Sequence, residues 1–158
     1  MSALAAATVM TVEDDPIVRA DLRLILEDAG FEVCADARDG VEAVELARHH
    51  RPDLILLDLV LPSLDGVEAT RRILGEQDVP IVAFTGHANG PLLVLALEAG
   101  ATATVTEPFS EQQLVGTIRG VLADRETEQD RLRYLVERLV RDGCSEREIE
   151  RAVRRATS

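Results

Sequence analysis

Residues 52–58 have the sequence Pro-Asp-Leu-Ile-Leu-Leu-Asp, in which four consecutive aliphatic residues stand between two aspartates. A continuous apolar run of this length is typical of a strand that is buried on both faces, as in a parallel sheet. An aspartate flanked by leucines is rarely kept in such a place without a function. The stretch therefore predicts a buried strand at 54–57 and a candidate functional carboxylate, Asp58, at its end.

On both sides of this stretch, short apolar runs alternate with longer segments of helical periodicity. We expect strands at 8–12, 31–35, 54–57, 81–84 and 101–105, and helices at 16–29, 40–49, 67–74, 91–99 and 110–122. This alternation predicts βαβ units and a parallel sheet. Right-handed crossovers would place helices on both faces, giving a doubly wound α/β fold whose ligands bind at the carboxyl ends of the strands.

Polar side chains follow four of the predicted strands at that edge. Glu13, Asp14 and Asp15 come after the first strand. Asp58 follows the third, Thr85 the fourth and Glu107 the fifth. Clustered carboxylates repel one another unless a cation lies among them, and Mg²⁺ prefers such oxygen ligands. The edge therefore predicts a magnesium site, although Asp14 or Asp15 could instead cap the helix that starts at Pro16.

Residues 8–122 resemble a response regulator receiver domain. The resemblance is carried by Val-Glu-Asp-Asp-Pro at 12–16, by 52–58, by Leu-Pro-Ser-Leu-Asp-Gly at 61–66, by Phe-Thr-Gly-His-Ala at 84–88, and by Ala-Leu-Glu-Ala-Gly-Ala at 96–101. It implies a flavodoxin-like (βα)₅ fold with strand order 2-1-3-4-5. It also implies that Asp58 accepts the phosphoryl group, that Glu13 and Asp14 bind Mg²⁺ with Asp58, and that Thr85 is the switch hydroxyl. Asp15 aligns one position beyond the acid pair.

Two positions depart from the family pattern. Glu107-Pro108 stands where receivers usually have Lys-Pro, so a carboxylate replaces the ammonium that pairs with the phosphoryl group. Glu107 could add a metal ligand, make the active state harder to reach, or point to solvent. Thr104 stands where the family usually has an aromatic switch residue. His87 is close enough in sequence to Thr85 to replace part of the missing positive charge, but only at low pH.

Composition limits the class of partner. All 17 basic residues are arginine, and the net charge of −12 is carried entirely by residues 1–123. An acidic surface makes DNA binding by that part unlikely. The two cysteines have no metal-type spacing, and no apolar run approaches the roughly 18–20 residues of a membrane span. We therefore expect a cytoplasmic protein that does not bind membranes and whose thiols are free.

Three segments are expected: a tail at 1–7, the receiver at 8–123 and a helical hairpin at 124–158. The hairpin is predicted from apolar residues at helical spacing over 132–140, a stop at 142–144 and a capping-box sequence at 145–148. Residues 139–149 are also similar to the first half of a helix-turn-helix domain, but the chain ends where a recognition helix would begin. We expect the hairpin to pack on the receiver or on a second subunit, which makes a homodimer possible.

The function that the sequence predicts is that of a response regulator in a two-component phosphorelay. A sensor histidine kinase would phosphorylate Asp58, and a downstream protein partner would receive the signal. The chain would be no enzyme in the usual sense, apart from its own phosphotransfer and dephosphorylation. Two alternatives stay open: a phosphate-independent pseudo-receiver that acts as an adaptor, and a transcription regulator with a truncated helix-turn-helix output.

Overall fold

A computed structural model describes residues 6–86 and 90–158. Its centre is a five-stranded parallel sheet with the order β2-β1-β3-β4-β5. The strands are β1 (Thr8–Val12), β2 (Glu32–Ala37), β3 (Leu54–Asp58), β4 (Ile81–Thr85) and β5 (Ala103–Thr106). The predicted doubly wound fold with strand order 2-1-3-4-5 is therefore confirmed.

The described residues also form six helices. They are α1 (Pro16–Asp28), α2 (Gly40–His50), α3 (Gly66–Glu76), α4 (Gly90–Glu98), α5 (Glu111–Arg141) and α6 (Glu146–Ala156). Aspartates cap the first three of these helices: the side chains of Asp15, Asp39 and Asp65 accept hydrogen bonds from backbone N–H groups of the first turn. These caps fix where each helix begins, directly after the loops at the carboxyl edge of the sheet.

Strand β3 is deeply buried, as its continuous apolar sequence predicted. Each of the four residues from Leu54 to Leu57 has no exposed surface. Ile55 pairs with Met10 of β1 on one side and with Ile81 of β4 on the other. Because both neighbours are strands and both faces are covered, nothing but the carboxyl end of β3 reaches the surface, and that end is Asp58.

The C-terminal helices differ from the prediction in one respect. Separate helices were expected at 110–122 and within 132–140, whereas the structure has a single helix, α5, through both. The connecting residues, from Ala123 to Arg131, include no glycine or proline, so nothing in them ends a helix. The predicted boundary after residue 123 consequently falls inside α5.

The chain divides into two compact units, residues 1–121 and 122–158. In the second unit, α5 ends at Arg141 and a turn leads to α6, with Gly143 at φ +80° and the Cys144 N–H bonded to the Leu139 carbonyl. Ser145 and Glu148 form the predicted capping box at the start of α6. The hairpin therefore exists, but its first helix is the continuation of α5.

The expectations about membrane spans and free thiols can be compared with the described residues. In these residues, none of the helices combines the length and the apolar character that a membrane crossing requires. Cys34 and Cys144 are both free thiols, each half-buried, as their spacing indicated. The cytoplasmic location stays a prediction.

Candidate phosphoryl and metal site at the carboxyl edge of the sheet

Three carboxylates meet where β1 and β3 end. Val12 of β1 lies beside Leu57 of β3 in parallel register, so the residues that follow them, Glu13 and Asp58, come next to each other. Asp14 completes the group: one carboxylate oxygen from each of the three residues lies within 4.8 Å of the other two. Parallel pairing of two neighbouring strands is therefore what brings the predicted metal-binding acids together.

Burial makes these charges costly in the absence of a cation. Glu13 is 4% exposed and Asp58 is 8% exposed, whereas Asp14 is exposed. Burial raises the pKa of Glu13 to about 8, and the adjacent Asp58 adds to the increase. Burial also raises the pKa of Asp58, although the hydrogen bond from the Val60 N–H opposes this. A divalent cation would favour the ionised forms of Glu13 and Asp58.

The loop after β1 holds Glu13 in place through its neighbours. The Asp15 N–H donates to Glu13 Oε1 at 3.1 Å, and Arg19 Nη1 donates to the Glu13 carbonyl oxygen at 2.8 Å. The Asp15 carboxylate accepts from the Ile17 N–H at 2.8 Å and so caps α1. Asp15 thus takes the capping alternative, while Arg19 is a positioning residue that the sequence did not reveal.

Asp58 is held by the loop that leads to α3. The Val60 N–H donates to Asp58 Oδ1 at 3.0 Å, and the Leu59 N–H donates to the Phe84 carbonyl oxygen of β4 at 2.9 Å. Gly66 lies directly against this loop, since a Cβ atom there would be 2.5 Å from the Leu59 Cα and 2.6 Å from the Asp58 carbonyl oxygen. Only glycine allows so close an approach, and it thereby fixes the backbone around Asp58.

Thr85 ends β4, the strand adjacent to β3. Phe84 pairs with Asp58, so Thr85 lies one residue further along, and it has no exposed surface. The Glu107 N–H donates to the Thr85 carbonyl oxygen at 3.0 Å, which ties the end of β4 to the segment after β5. Thr85 therefore follows the residue that pairs with Asp58, and its role as the switch hydroxyl stays a prediction.

Glu107 is half-buried, and its carboxylate lies over Gly86. A Cβ atom at Gly86 would be 3.2 Å from Glu107 Oε2. The peptide bond between Glu107 and Pro108 is cis. Glu107 is not a member of the carboxylate group of Glu13, Asp14 and Asp58, so the idea that it is a further metal ligand gains no support from the geometry.

The aromatic residue that the family pattern suggests at position 104 is absent, and a different ring lies near the site. Thr104 is half-buried in β5, where it pairs with Ala83. Phe109 packs edge-to-face on Phe84, with ring centroids 6.1 Å apart. Because Phe84 is the β4 partner of Asp58, this pair supports the strand beside the site. His87, considered as a replacement charge, lies outside the described residues.

The sequence from residue 9 to residue 119 matches the response regulator receiver domain family. The chain belongs to this family. Similar proteins include the transcriptional regulatory protein CseB of Streptomyces coelicolor, 46% identical over 114 residues that make up 72% of this chain and 48% of CseB. Another is the transcriptional regulatory protein PdtaR of Mycobacterium tuberculosis, 39% identical over 110 residues, or 70% of this chain and 54% of PdtaR.

Solved structures give the same result for this receiver domain. The receiver domain of sensor histidine kinase PA1611 from Pseudomonas aeruginosa, determined with a magnesium ion coordinated in its active site cleft, is similar with a TM-score of 0.69 and 32% identity, over 75% of this chain and 99% of that one. A LuxR-family response regulator from Aurantimonas sp. SI85-9A1 has a TM-score of 0.70 and 39% identity, over 76% and 87% of the two chains.

The similarity covers only part of the curated relatives. This receiver chain spans about half the length of the curated relatives that it matches. Some relatives carry names such as DNA-binding response regulator MtrA, from Mycolicibacterium smegmatis. The expectation that this chain does not bind DNA consequently stays a prediction.

Receiver domains are two-component signalling modules that bind Mg²⁺ at an acidic cluster. The group formed by Glu13, Asp14 and Asp58 has the chemistry for such an ion: three carboxylates, hence hard oxygen donors, of which two are buried and have raised pKa values. Mg²⁺ commonly takes one or two carboxylates together with water and phosphate oxygens. The residues present therefore fit the ion.

Proposed function

We propose that this response regulator accepts a phosphoryl group on Asp58 from a sensor histidine kinase, and passes the signal on through protein–protein contacts. The observation that supports this most strongly is the position of Asp58 at the tip of a buried strand, within 4.8 Å of two further carboxylates. Glu13, Asp14 and Asp58 would hold Mg²⁺. A cation bound there would neutralise charge on the carboxylates and on the incoming phosphoryl oxygens.

The chemistry that Asp58 would carry out is a nucleophilic displacement at phosphorus. One carboxylate oxygen forms a bond to phosphorus while the bond from phosphorus to the donor imidazole nitrogen breaks, and its electron pair stays on that nitrogen. The Val60 N–H donates to Oδ1 and so helps to orient the carboxylate for attack. Asp58 must be ionised to react, and a neighbouring cation would oppose the increase that burial causes in its pKa.

Thr85 and Glu107 would act on the phosphorylated state in opposite directions. The Thr85 hydroxyl can donate a hydrogen bond to a phosphoryl oxygen, which stabilises the product. Glu107 presents a negative charge near the end of β4, where receivers usually have a lysine. Like charges about 4 Å apart repel by about 1 kcal/mol in water and by more inside a protein. We therefore expect a phosphoryl group that is held less tightly than in typical receivers.

A phosphorylation assay tests the role of Asp58. The purified chain is incubated with acetyl phosphate and Mg²⁺, and intact-mass spectrometry measures the fraction that carries one phosphoryl group. Asp58→Asn is expected to abolish the modification. Asp65→Asn is the matched control, because asparagine caps a helix as well as aspartate does and α3 stays in place. Equal modification of Asp58→Asn and the unchanged chain would contradict the proposal.

A phosphate-independent adaptor is the second candidate, and the Glu107 substitution is the observation that favours it. In that case the unchanged chain binds its downstream partner equally well with and without acetyl phosphate, and Asp58→Asn leaves this binding intact. Glu107→Lys supplies the positive charge of a typical receiver and is expected to lengthen the lifetime of the phosphorylated form. Glu107→Gln removes the negative charge without adding a positive one, so a comparison of its phosphorylated lifetime with that of Glu107→Lys separates the two effects.

A transcription regulator is the third candidate, because relatives have names of that kind. An electrophoretic mobility shift assay with genomic DNA fragments distinguishes it from the other two. The charge of residues 122–158 argues against it, since nine arginines are balanced by nine acids and phosphate binding requires a positive face.

A further inference from the structure

The C-terminal unit has apolar side chains but no interior. Of residues 122–158, all of which the structure describes, none is buried. The apolar residues that face inwards are only half-buried: Leu132, Leu135, Val136 and Leu139 in α5, and Ile149, Ala152 and Val153 in α6. Two helices that cover each other along one side only leave such faces partly open to water, which reduces their stability. The apolar face of the hairpin therefore requires a further partner.

A groove between the two helices shows where that partner would bind. It has a volume of about 580 Å³. Its apolar walls are Leu132, Leu135 and Ala156, and its charged rim includes Asp124, Glu128 and Arg131. The mixture of an apolar floor with acidic and basic rim residues suits a protein helix that carries both signs of charge.

Charge along the second part of α5 is sharply divided. Residues 124–130 contain four acids and one arginine, a net charge of −3, and residues 131–141 contain four arginines and one glutamate, a net charge of +3. The helix α6 repeats the pattern, with acids concentrated in 146–150 and arginines in 151–155. A partner helix of one sign would be repelled by half of this surface, and so would a nucleic acid.

We infer that two copies of this chain pack their C-terminal hairpins against each other, with their α5 segments antiparallel. In this arrangement the acidic segment 124–130 of one copy lies along the basic segment 131–141 of the other, and the two-fold symmetry repeats the favourable pairing. A parallel arrangement would oppose like charges in both segments. The four helices together cover the half-buried leucines and valines, as in an antiparallel bundle.

Neither the acidic cluster nor a phosphoryl group takes part in this association. It depends on residues 122–158 alone and adds an interaction surface to the signalling function. It also explains why the hairpin has opposite charges in equal number. Balanced charge removes long-range repulsion between two copies, whereas residues 1–121 have a strong negative charge that opposes their approach.

Sedimentation velocity of the full chain, without phosphodonor, tests this inference. The unchanged chain is expected to be a dimer at micromolar concentration. Val136→Glu puts a charge into the apolar contact and is expected to weaken association at least about tenfold. Tyr134→Glu is the matched control, because Tyr134 is 67% exposed and lies on the opposite side of α5 from Leu132 and Val136. It should change association by less than about threefold. Circular dichroism shows whether each variant keeps its helices.

Charge exchange tests the orientation of the two copies. Glu126→Arg with Asp130→Arg makes both segments of α5 basic, and Arg138→Glu with Arg141→Glu makes both acidic. Each double variant is expected to associate more weakly than the unchanged chain at low salt. The quadruple variant again has opposite segments and should regain association. A monomeric unchanged chain would overturn the inference, since the receiver or another protein must then cover the hairpin. A dimer insensitive to Val136→Glu, or a quadruple variant without recovery, would also overturn it.

Discussion

The two units of this protein both have regular apolar patterns, yet they bury their aliphatic residues to very different degrees. In residues 1–121, strands β3 and β4 are completely enclosed. In residues 122–158 no side chain is enclosed, although helical spacing there is just as regular. The difference arises because a sheet with helices on both faces covers its strands from every side, whereas two helices cover each other along one line only. Amphipathic pattern alone does not make a core.

The largest expected effect comes from truncation of an enclosed side chain. Ile55→Ala removes atoms from the centre of β3 and leaves a cavity, so we expect a loss of about 2–5 kcal/mol in the free energy of unfolding. Leu135→Ala, in a half-buried position of the second unit, should cost about 1 kcal/mol, because only part of that side chain leaves water. Amide hydrogen exchange, followed separately for β3 and α6, measures both. Equal losses would contradict the contrast in burial.

Steric restriction at a glycine gives the next largest effect. Gly66→Ala forces a Cβ atom against the Leu59 Cα and is expected to destabilise the receiver by about 1–3 kcal/mol and to weaken Mg²⁺ binding. Gly75→Ala, in the same helix α3 but with nothing within 4 Å, is the control. It should stabilise the protein by about 0.5–1 kcal/mol through helix propensity. Urea denaturation and magnesium titration provide the two measurements.

Titration of the buried carboxylates should be visible in the first unit. Because the folded pKa of Glu13 is raised, the folded chain retains a proton that the unfolded chain releases between the ordinary glutamate pKa and about pH 8. Without Mg²⁺, stability should therefore fall as the pH rises through this window. Glu13→Gln is expected to remove most of this loss, because glutamine has no carboxyl group to titrate.

Thermal denaturation at several pH values, with and without Mg²⁺, measures this dependence. Added Mg²⁺ should cancel most of the decline in the unchanged chain and very little in Glu13→Gln. A metal-free chain whose stability is constant between pH 5 and 8 would show that Glu13 and Asp58 are not coupled through burial.

The smallest effect is expected at a helix cap of the open unit. Ser145→Ala removes a hydroxyl that accepts from the Glu148 N–H and should cost about 0.5–1 kcal/mol. The consequence should be confined to α6, where amide exchange becomes faster. Asp39→Ala removes a comparable cap from α2, which packs on the sheet, and should lower the stability of the whole first unit. A global effect of Ser145→Ala would mean that the second unit is more tightly packed than its exposure indicates.

Local sequence patterns were sufficient to predict the strands and the helix starts. The apolar run before Asp58 is typical of a buried strand, and Ser145 with Glu148 is typical of a helix start; both predictions are confirmed. The helix end expected at residue 122 was wrong for a related reason. The apolar pattern weakens there, but the connecting residues are good helix formers, and a helix ends at a stop signal rather than at a loss of amphipathicity.

The doubly wound fold, the acids at the strand ends and the family could all be read from the amino-acid sequence. The separate positions of those acids could be read only from the folded chain: Asp15 caps α1, Glu13 and Asp14 lie beside Asp58, and Glu107 lies over Gly86. The physical reason is that strand periodicity is a local property, whereas the distance between two carboxylates depends on strand register and on close contacts between residues far apart in the chain.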